Sequence, residues 1–270
     1  MIAPFRRRSA PAASSLALHP VESGAPLPAG AFVATVPGAA APLLPLDLPD
    51  GLKGVARERV ARRQLRDAGC GAGLDLRPAR LGAGRETWAR MLVCEGTLRA
   101  DWAAHVAPAG RRCRAVLPDY LALPAAPGLW VIELDEAGMV RARLGPEDGF
   151  AAESDLARAL LEEAATASAP RAILRRGAAS APLDAWLATL GVPVCDGDAA
   201  LGAAGIAPPT RFAHGELALD LARDPEALRD ALRTGLRRIA AALVLALGGF
   251  GFWAASVQVE TDRLRALDRG

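Results

Sequence analysis

From Ile239 to Val259 the chain runs 21 residues without a charged side chain. At about 1.5 Å rise per residue a helix of that length spans ~31 Å, close to the ~30 Å hydrocarbon core of a bilayer. Eight of its first 19 residues are Leu, Ile, Val or Phe. At about −0.3 to −0.6 kcal/mol each they favour insertion by roughly 2–5 kcal/mol. Gly248, Gly249 and Gly251 subtract from that. A single membrane helix over 239–259 is therefore the strongest constraint in the sequence, and Trp253 suits an interfacial anchor near its distal end. Arg229, Arg233, Arg237 and Arg238 precede the run, whereas Arg263 and Arg265 follow it among Glu260 and Asp262. The basic excess lies before the span, which puts residues 1–238 in the cytoplasm and leaves 260–270 as a periplasmic stub. A cytoplasmic location also keeps Cys70, Cys94, Cys113 and Cys195 reduced. Arg6, Arg7 and Arg8 imitate the start of an export signal. Between Ser9 and His19, however, only Leu16 and Leu18 are large and apolar, with Pro11 and Pro20 interrupting, so no cleavable signal is read there.

Composition narrows the function classes. The 32 Lys and Arg nearly cancel the 30 Asp and Glu, which excludes a strongly basic nucleic-acid binder. Lys53 is the single lysine, and Gly54 follows it. A Walker A loop needs Gly-Lys followed by Ser or Thr, so no standard P-loop is present. Four scattered cysteines do not make a small secreted disulfide framework.

Along the chain, residues 1–30 are rich in Ala, Pro and Ser and are expected to be largely disordered. Residues 31–222 read as one cytoplasmic α/β domain, with strands alternating with helices. Strands are predicted at Ala31–Val36 and Arg90–Val93, and a helical stretch near Val55, Val60 and Leu65. Leu98, Trp102 and Val106 fall at helical spacing. Trp130, Ile132 and Leu134 alternate with Glu133 and Asp135, the period of a half-buried strand, and Asp135–Gly138 turns it into a second strand at Met139–Arg143. Ser154 is the expected N-cap of a helix whose apolar face is Leu156, Leu160 and Leu161. Strands at Ala172–Leu174, Val192–Val194 and Leu217–Leu221 and a helix at Leu183–Leu190 complete the domain. A helical linker, 223–238, leads to the span.

Chemistry-bearing residues are sparse. His105 with Cys113, and Cys195 with His214, lack the clustered spacing of a zinc site and are read as structural or surface residues. Glu133 and Asp135 share a strand face and imitate a carboxylate pair, but the alternation makes that face a solvated outer one. Gly69-Cys70-Gly71-Ala72-Gly73 has no strand–turn–helix context and reads as a loop. No catalytic, cofactor-binding or metal-ligating residue is assigned. In the span, Gly248, Gly251 and Ala255 lie at i, i+3 and i+7 and form one small-residue face suited to close helix packing.

Val116-Leu117-Pro118-Asp119-Tyr120-Leu121-Ala122-Leu123-Pro124 resembles a recurring signature of the L protein of the type II secretion system (general secretion pathway protein L). Val36-Pro37-Gly38, Leu46-Asp47-Leu48-Pro49 and Gln64-Leu65-Arg66-Asp67 follow the family's landmarks in order. So do the Trp102 helix, the Trp130 hairpin and a membrane helix after about 240 residues. The resemblance covers roughly residues 31–259. It implies an actin-like, ribonuclease-H-like cytoplasmic domain without enzymatic activity. The implied partners are the secretion ATPase (the E protein) on the cytoplasmic side and the M protein in the membrane; a second copy of the chain is suggested instead by the small-residue face of the span. The Trp130 hairpin looks like a relic of an actin-type phosphate hairpin. Two features depart from the family. Its ferredoxin-like periplasmic domain has no counterpart in 260–270, so contacts attributed to that domain are not carried over. Asp220-Leu221-Ala222-Arg223 stands where the family has Asn-Leu and Gln-Gly. The alternatives are a type IV pilus assembly platform protein and a membrane-anchored actin-like nucleotide hydrolase.

Overall fold

The computed structural model describes residues 15–84 and 86–224. The predicted membrane helix 239–259, its face Gly248, Gly251 and Ala255, the linker from 225 and the stub 260–270 lie outside the described residues. Among the described residues no helix is long and apolar enough to cross a membrane. The fold below belongs to the unit Met1–Ala222.

The fold is mixed α/β. Its first half contains β1 (Ala17–Pro20), β2 (Phe32–Val36), β3 (Leu43–Pro45), α1 (Gly54–Asp67), β4 (Leu74–Pro78), β5 (Arg90–Glu95), α2 (Gly96–Val106) and β6 (Cys113–Pro118). The second half contains β7 (Leu129–Leu134), β8 (Met139–Leu144), β9 (Gly149–Glu153), α3 (Ser154–Ala167), β10 (Ala172–Gly177), α4 (Ala181–Thr189), β11 (Val194–Cys195) and α5 (Asp198–Ala203). Three sheets result, ordered β1-β2-β6, β3-β5-β4 and β11-β10-β7-β8-β9.

The first sheet is parallel throughout. All five residues of β2 are buried, as are Ala115–Pro118 of β6, which explains their apolar runs without alternation. The second sheet is antiparallel. In the third, β7, β8 and β9 form an antiparallel meander. The chain then crosses through α3 to β10, which lies beside β7 and parallel to it, and through α4 to β11. Trp130, Ile132, Val140 and Ala142 pack on Ala157 and Leu161 of α3 and on Trp186 and Leu187 of α4. Leu129, Val131 and Leu174 face a separate core with Cys195 and Leu201.

Five expectations about these elements are corrected. Residues 17–20, assigned by composition to a disordered segment, form a strand in register with β2 from Ala17↔Phe32 to Pro20↔Thr35. An edge strand needs few large apolar groups, because β2 supplies its backbone partners, while Leu16 and His19 are buried. Residues 217–221 are not a strand. Glu216–Leu219 make one 3-10 turn, because Glu216 and Asp220 turn their carboxylates inward as buried hydrogen-bond acceptors. The strand expected at Val192–Val194 is confined to Val194–Cys195. The α3 helix starts at Ser154 rather than after it, with Glu153 at the N-cap, and Ser154 Oγ instead donates to the Gly138 carbonyl at 2.9 Å. On α3 itself Ala157 and Leu161 are buried, whereas Leu156 is 58% exposed.

Candidate functional site

The parallel register pairs Val36 with Pro118, so two segments far apart in sequence end side by side. Beyond the strands, the Gly38 N–H donates to Asp119 Oδ1 at 3.1 Å, and the Tyr120 N–H donates to the same oxygen at 2.7 Å. Gly38 is required by space: a Cβ there would lie 2.4 Å from Tyr120 Cδ1, 2.5 Å from Asp119 Oδ1 and 2.8 Å from Ala151 Cβ. Pro118 ends β6, and Asp119–Ala122 form a single 3-10 turn that buries Tyr120 and Leu121 completely. The Tyr120 hydroxyl donates to the Ala41 carbonyl at 2.7 Å, tying this turn to the chain beyond Gly38. Burial pushes the Tyr120 phenol well above its ordinary range.

The β7–β8 hairpin completes the corner. Asp135 Oδ1 accepts from the N–H groups of Ala137 and Met139 at 2.9 Å each, which holds the turn. Arg141 then meets Glu133 at 3.0 Å, Asp135 at 3.9 Å and Asp119 at 4.0 Å. Burial pushes the Asp119 carboxyl up to about 6, against the pull of Arg141 and of the Tyr120 and Gly38 N–H groups. Asp119 therefore gains and loses its proton in the weakly acidic range. Glu133 and Asp135, expected on a solvated outer face, are instead partly buried around Arg141. The register Glu133↔Arg141 across the hairpin is what brings them together.

Two residues further along β8, Arg143 is fully buried against Glu216 at 3.0 Å and donates to the Pro146 carbonyl at 2.6 Å. Glu216 also accepts from the His214 N–H at 2.8 Å. Asp220 accepts from the Val116 N–H at 2.8 Å, and Leu221 N donates to the Val116 carbonyl at 2.9 Å, so the free edge of β6 is closed. The segment 214–221 thus joins the first sheet to β8. Sequence reading missed it, because isolated Glu and Asp residues look like surface until the fold buries them.

The remaining candidates separate. The exposed His105 ring stacks on His19 with centroids 6.4 Å apart. The Cys113 thiol lies 3.5 Å from the Ala115 carbonyl, and burial pushes its pKa up. Cys195 is buried with Leu174 and Leu201, and His214 Nε2 lies 3.2 Å from the Ala125 carbonyl. Gly69 and Gly73 take positive φ in the turn between α1 and β4. Among the described residues no group of three or more His, Cys, Asp or Glu is arranged to hold a metal ion.

The sequence matches no family model and no curated protein. Among solved structures, the chain is similar to the cytoplasmic domain of EpsL, an inner membrane component of the type II secretion system of Vibrio cholerae. The TM-score is 0.41 at 15% identity, covering 60% of this chain and 72% of that one.

Proposed function

We propose that this chain is an inner-membrane adaptor of a type II secretion system, coupling the cytoplasmic secretion ATPase to the membrane platform. In this reading residues 31–222 are an actin-like, ribonuclease-H-like domain, 223–238 a linker and 239–259 a single membrane helix with the N-terminus cytoplasmic. The observation that carries the reading is the meeting of Val36-Pro37-Gly38 with Pro118-Asp119-Tyr120. These two landmark segments of the secretion L proteins form one hydrogen-bonded corner. The β7–β8–β9 meander followed by α3, β10, α4 and β11 supports the ribonuclease-H-like half.

The domain is read as catalytically inert. The Gly38 N–H, a natural anion donor at a strand end, is already taken by the Asp119 carboxylate, and Glu133 and Asp135 add negative charge beside it. A nucleotide phosphate entering there meets three carboxylates and one guanidinium.

The test is affinity purification of the full chain after co-expression with the E and M proteins of its own organism. Retention of both through the column is the expected result. Loss of both, together with ATP turnover abolished by Asp119→Asn, would move the chain to the hydrolase reading. Retention of a pilus ATPase in place of the E protein would move it to the pilus platform. Within the membrane, the Gly248, Gly251 and Ala255 face is read as a packing surface for a second copy or for the M protein. Gly251→Leu is expected to reduce association in a membrane two-hybrid assay, while Phe250→Leu leaves it unchanged.

A further inference from the structure

The α3 helix is apolar on two sides. Ala157 and Leu161 face the five-stranded sheet, while Leu156, Leu160, Ala164 and Ala167 follow at i, i+4, i+8 and i+11 and line a groove. Leu160 and Ala164, both partly buried, belong to both faces. Leu156 remains 58% exposed, one of four large exposed apolar residues among those described. The groove also runs past Leu44 and Phe150 and has a volume of about 1550 Å³. Small-molecule sites commonly occupy ~300–1,000 Å³. Ten residues of helix, ~15 Å long and ~10–12 Å across, need roughly 1,200–1,700 Å³.

The rim is acidic. Glu147, Asp148, Glu153 and Glu163 line it, against Arg90 and His214. Arg90 is already paired with Asp148. Glu147, Glu153 and Glu163 have no hydrogen-bond or ion-pair partner among the described residues, and Glu153 makes no side-chain cap to α3. A purely apolar occupant would strip water from these carboxylates without replacing it, and an anionic one would be repelled. We infer that this groove is a docking surface for an amphipathic helix of a partner protein, with Leu-type side chains along one face and Lys or Arg at its margins. The mode is helix-in-groove, with Leu156 and Leu160 as the apolar contacts and the three carboxylates as the charge readers. It uses no residue of the Asp119 corner or of the 239–259 run, so its failure leaves the secretion reading standing; the nanodiscs in its test serve only to keep the full chain dispersed.

The probe is a fluorescein-labelled 14-residue helical peptide of Leu and Lys, with its Leu–Glu counterpart as control. It is titrated against the full chain in phosphatidylcholine nanodiscs, with the empty-disc signal subtracted. Saturable binding of the Leu–Lys peptide is expected, at least ten-fold tighter than the Leu–Glu peptide. Leu156→Arg should weaken it ten-fold or more, and Glu147→Gln/Glu153→Gln/Glu163→Gln about five-fold. Val55→Arg, an equally drastic change at a 73% exposed site on α1, should leave it unaltered. Circular dichroism of each variant checks that the fold persists. No binding above empty discs, equal binding of the two peptides, or equal effects of Leu156→Arg and Val55→Arg would each overturn the proposal.

Discussion

Arg141 and Arg143 stand two residues apart on the same face of β8, yet they sit in opposite electrostatic situations. Arg141 has three carboxylates within 4.0 Å and keeps 26% of its side chain in solvent. Arg143 has one carboxylate and one carbonyl, and none of its side chain is exposed. Among the described residues its Nε and Nη1 have no hydrogen-bond partner, whereas at Arg141 only Nε is buried without one. Burial pushes the Arg143 pKa down, opposed chiefly by Glu216. The number of partners therefore misleads. At the rim, Arg141, Glu133 and Asp135 keep part of their water, so the Arg141–Glu133 pair adds about 0–1 kcal/mol, while Asp119, the most buried of the three carboxylates, bears a desolvation cost. In the interior, each ion has lost its water, and removing its one partner leaves an uncompensated charge.

The sharpest way to break this contrast is Glu216→Ala. It should destabilise the full chain by about 3–5 kcal/mol, seen as a fall in Tm of roughly 10–15 °C. The paired change Arg143→Met/Glu216→Leu should recover most of that loss. A fall of under 2 °C for Glu216→Ala would mean that Arg143 is hydrated after all. Next in size is Gly38→Ala, which tests whether the rim corner is held by packing where it is not held by charge. Its methyl group meets three atoms within 2.8 Å, so chemical denaturation should show a loss of about 2–3 kcal/mol.

Asp119→Asn probes the rim through pH. The folded protein holds the Asp119 proton up to about 6, whereas the ordinary value is 3.8. In that window the native state binds more protons than the unfolded state, so wild-type stability falls as pH rises from about 4 to about 6. At about 1.4 kcal/mol per tenfold change in proton affinity, the full effect is about 3 kcal/mol, and partial exposure reduces it to about 2. Asn keeps an oxygen for the Gly38 and Tyr120 N–H groups. The variant should therefore gain about 2 kcal/mol relative to wild type between pH 4 and pH 7, in urea titrations at each pH. Parallel curves for the two proteins would show that Asp119 ionises as if exposed. The smallest effect is expected for Glu133→Gln, under about 1 kcal/mol and diminishing in 0.5 M salt.

Much of the secondary structure was legible because it rests on local period. The β7–β8 hairpin followed from strict alternation between Trp130 and Leu134 and the Asp135–Gly138 turn. The helix α2 followed from Leu98, Trp102 and Val106. The misses have a common cause in neighbours supplied by distant sequence. The strand β1 exists because β2 lies beside it, and Leu217–Leu221 was denied a ladder because Glu216 and Asp220 were needed as acceptors. Leu156 matched a core period, yet the residues of α3 that reach the sheet core are Ala157 and Leu161 with Leu160, Ala164 and Ala165 beside them, and Leu156 is left out.

By itself, the sequence determined the alternating α/β pattern, the hairpin, the long uncharged run 239–259 and the two segments around Gly38 and Asp119. These depend on steric period, turn chemistry and hydropathy, which act over a few residues. Only the tertiary structure decided that Gly38 meets Asp119 across 81 residues, and that Arg143 and Glu216 are buried while Arg141 is not. It also decided that one face of α3 is left open to a groove. Distance, burial and the loss of water are properties of packed elements. A carboxylate or a leucine reads the same in sequence whichever side of that boundary it finally occupies.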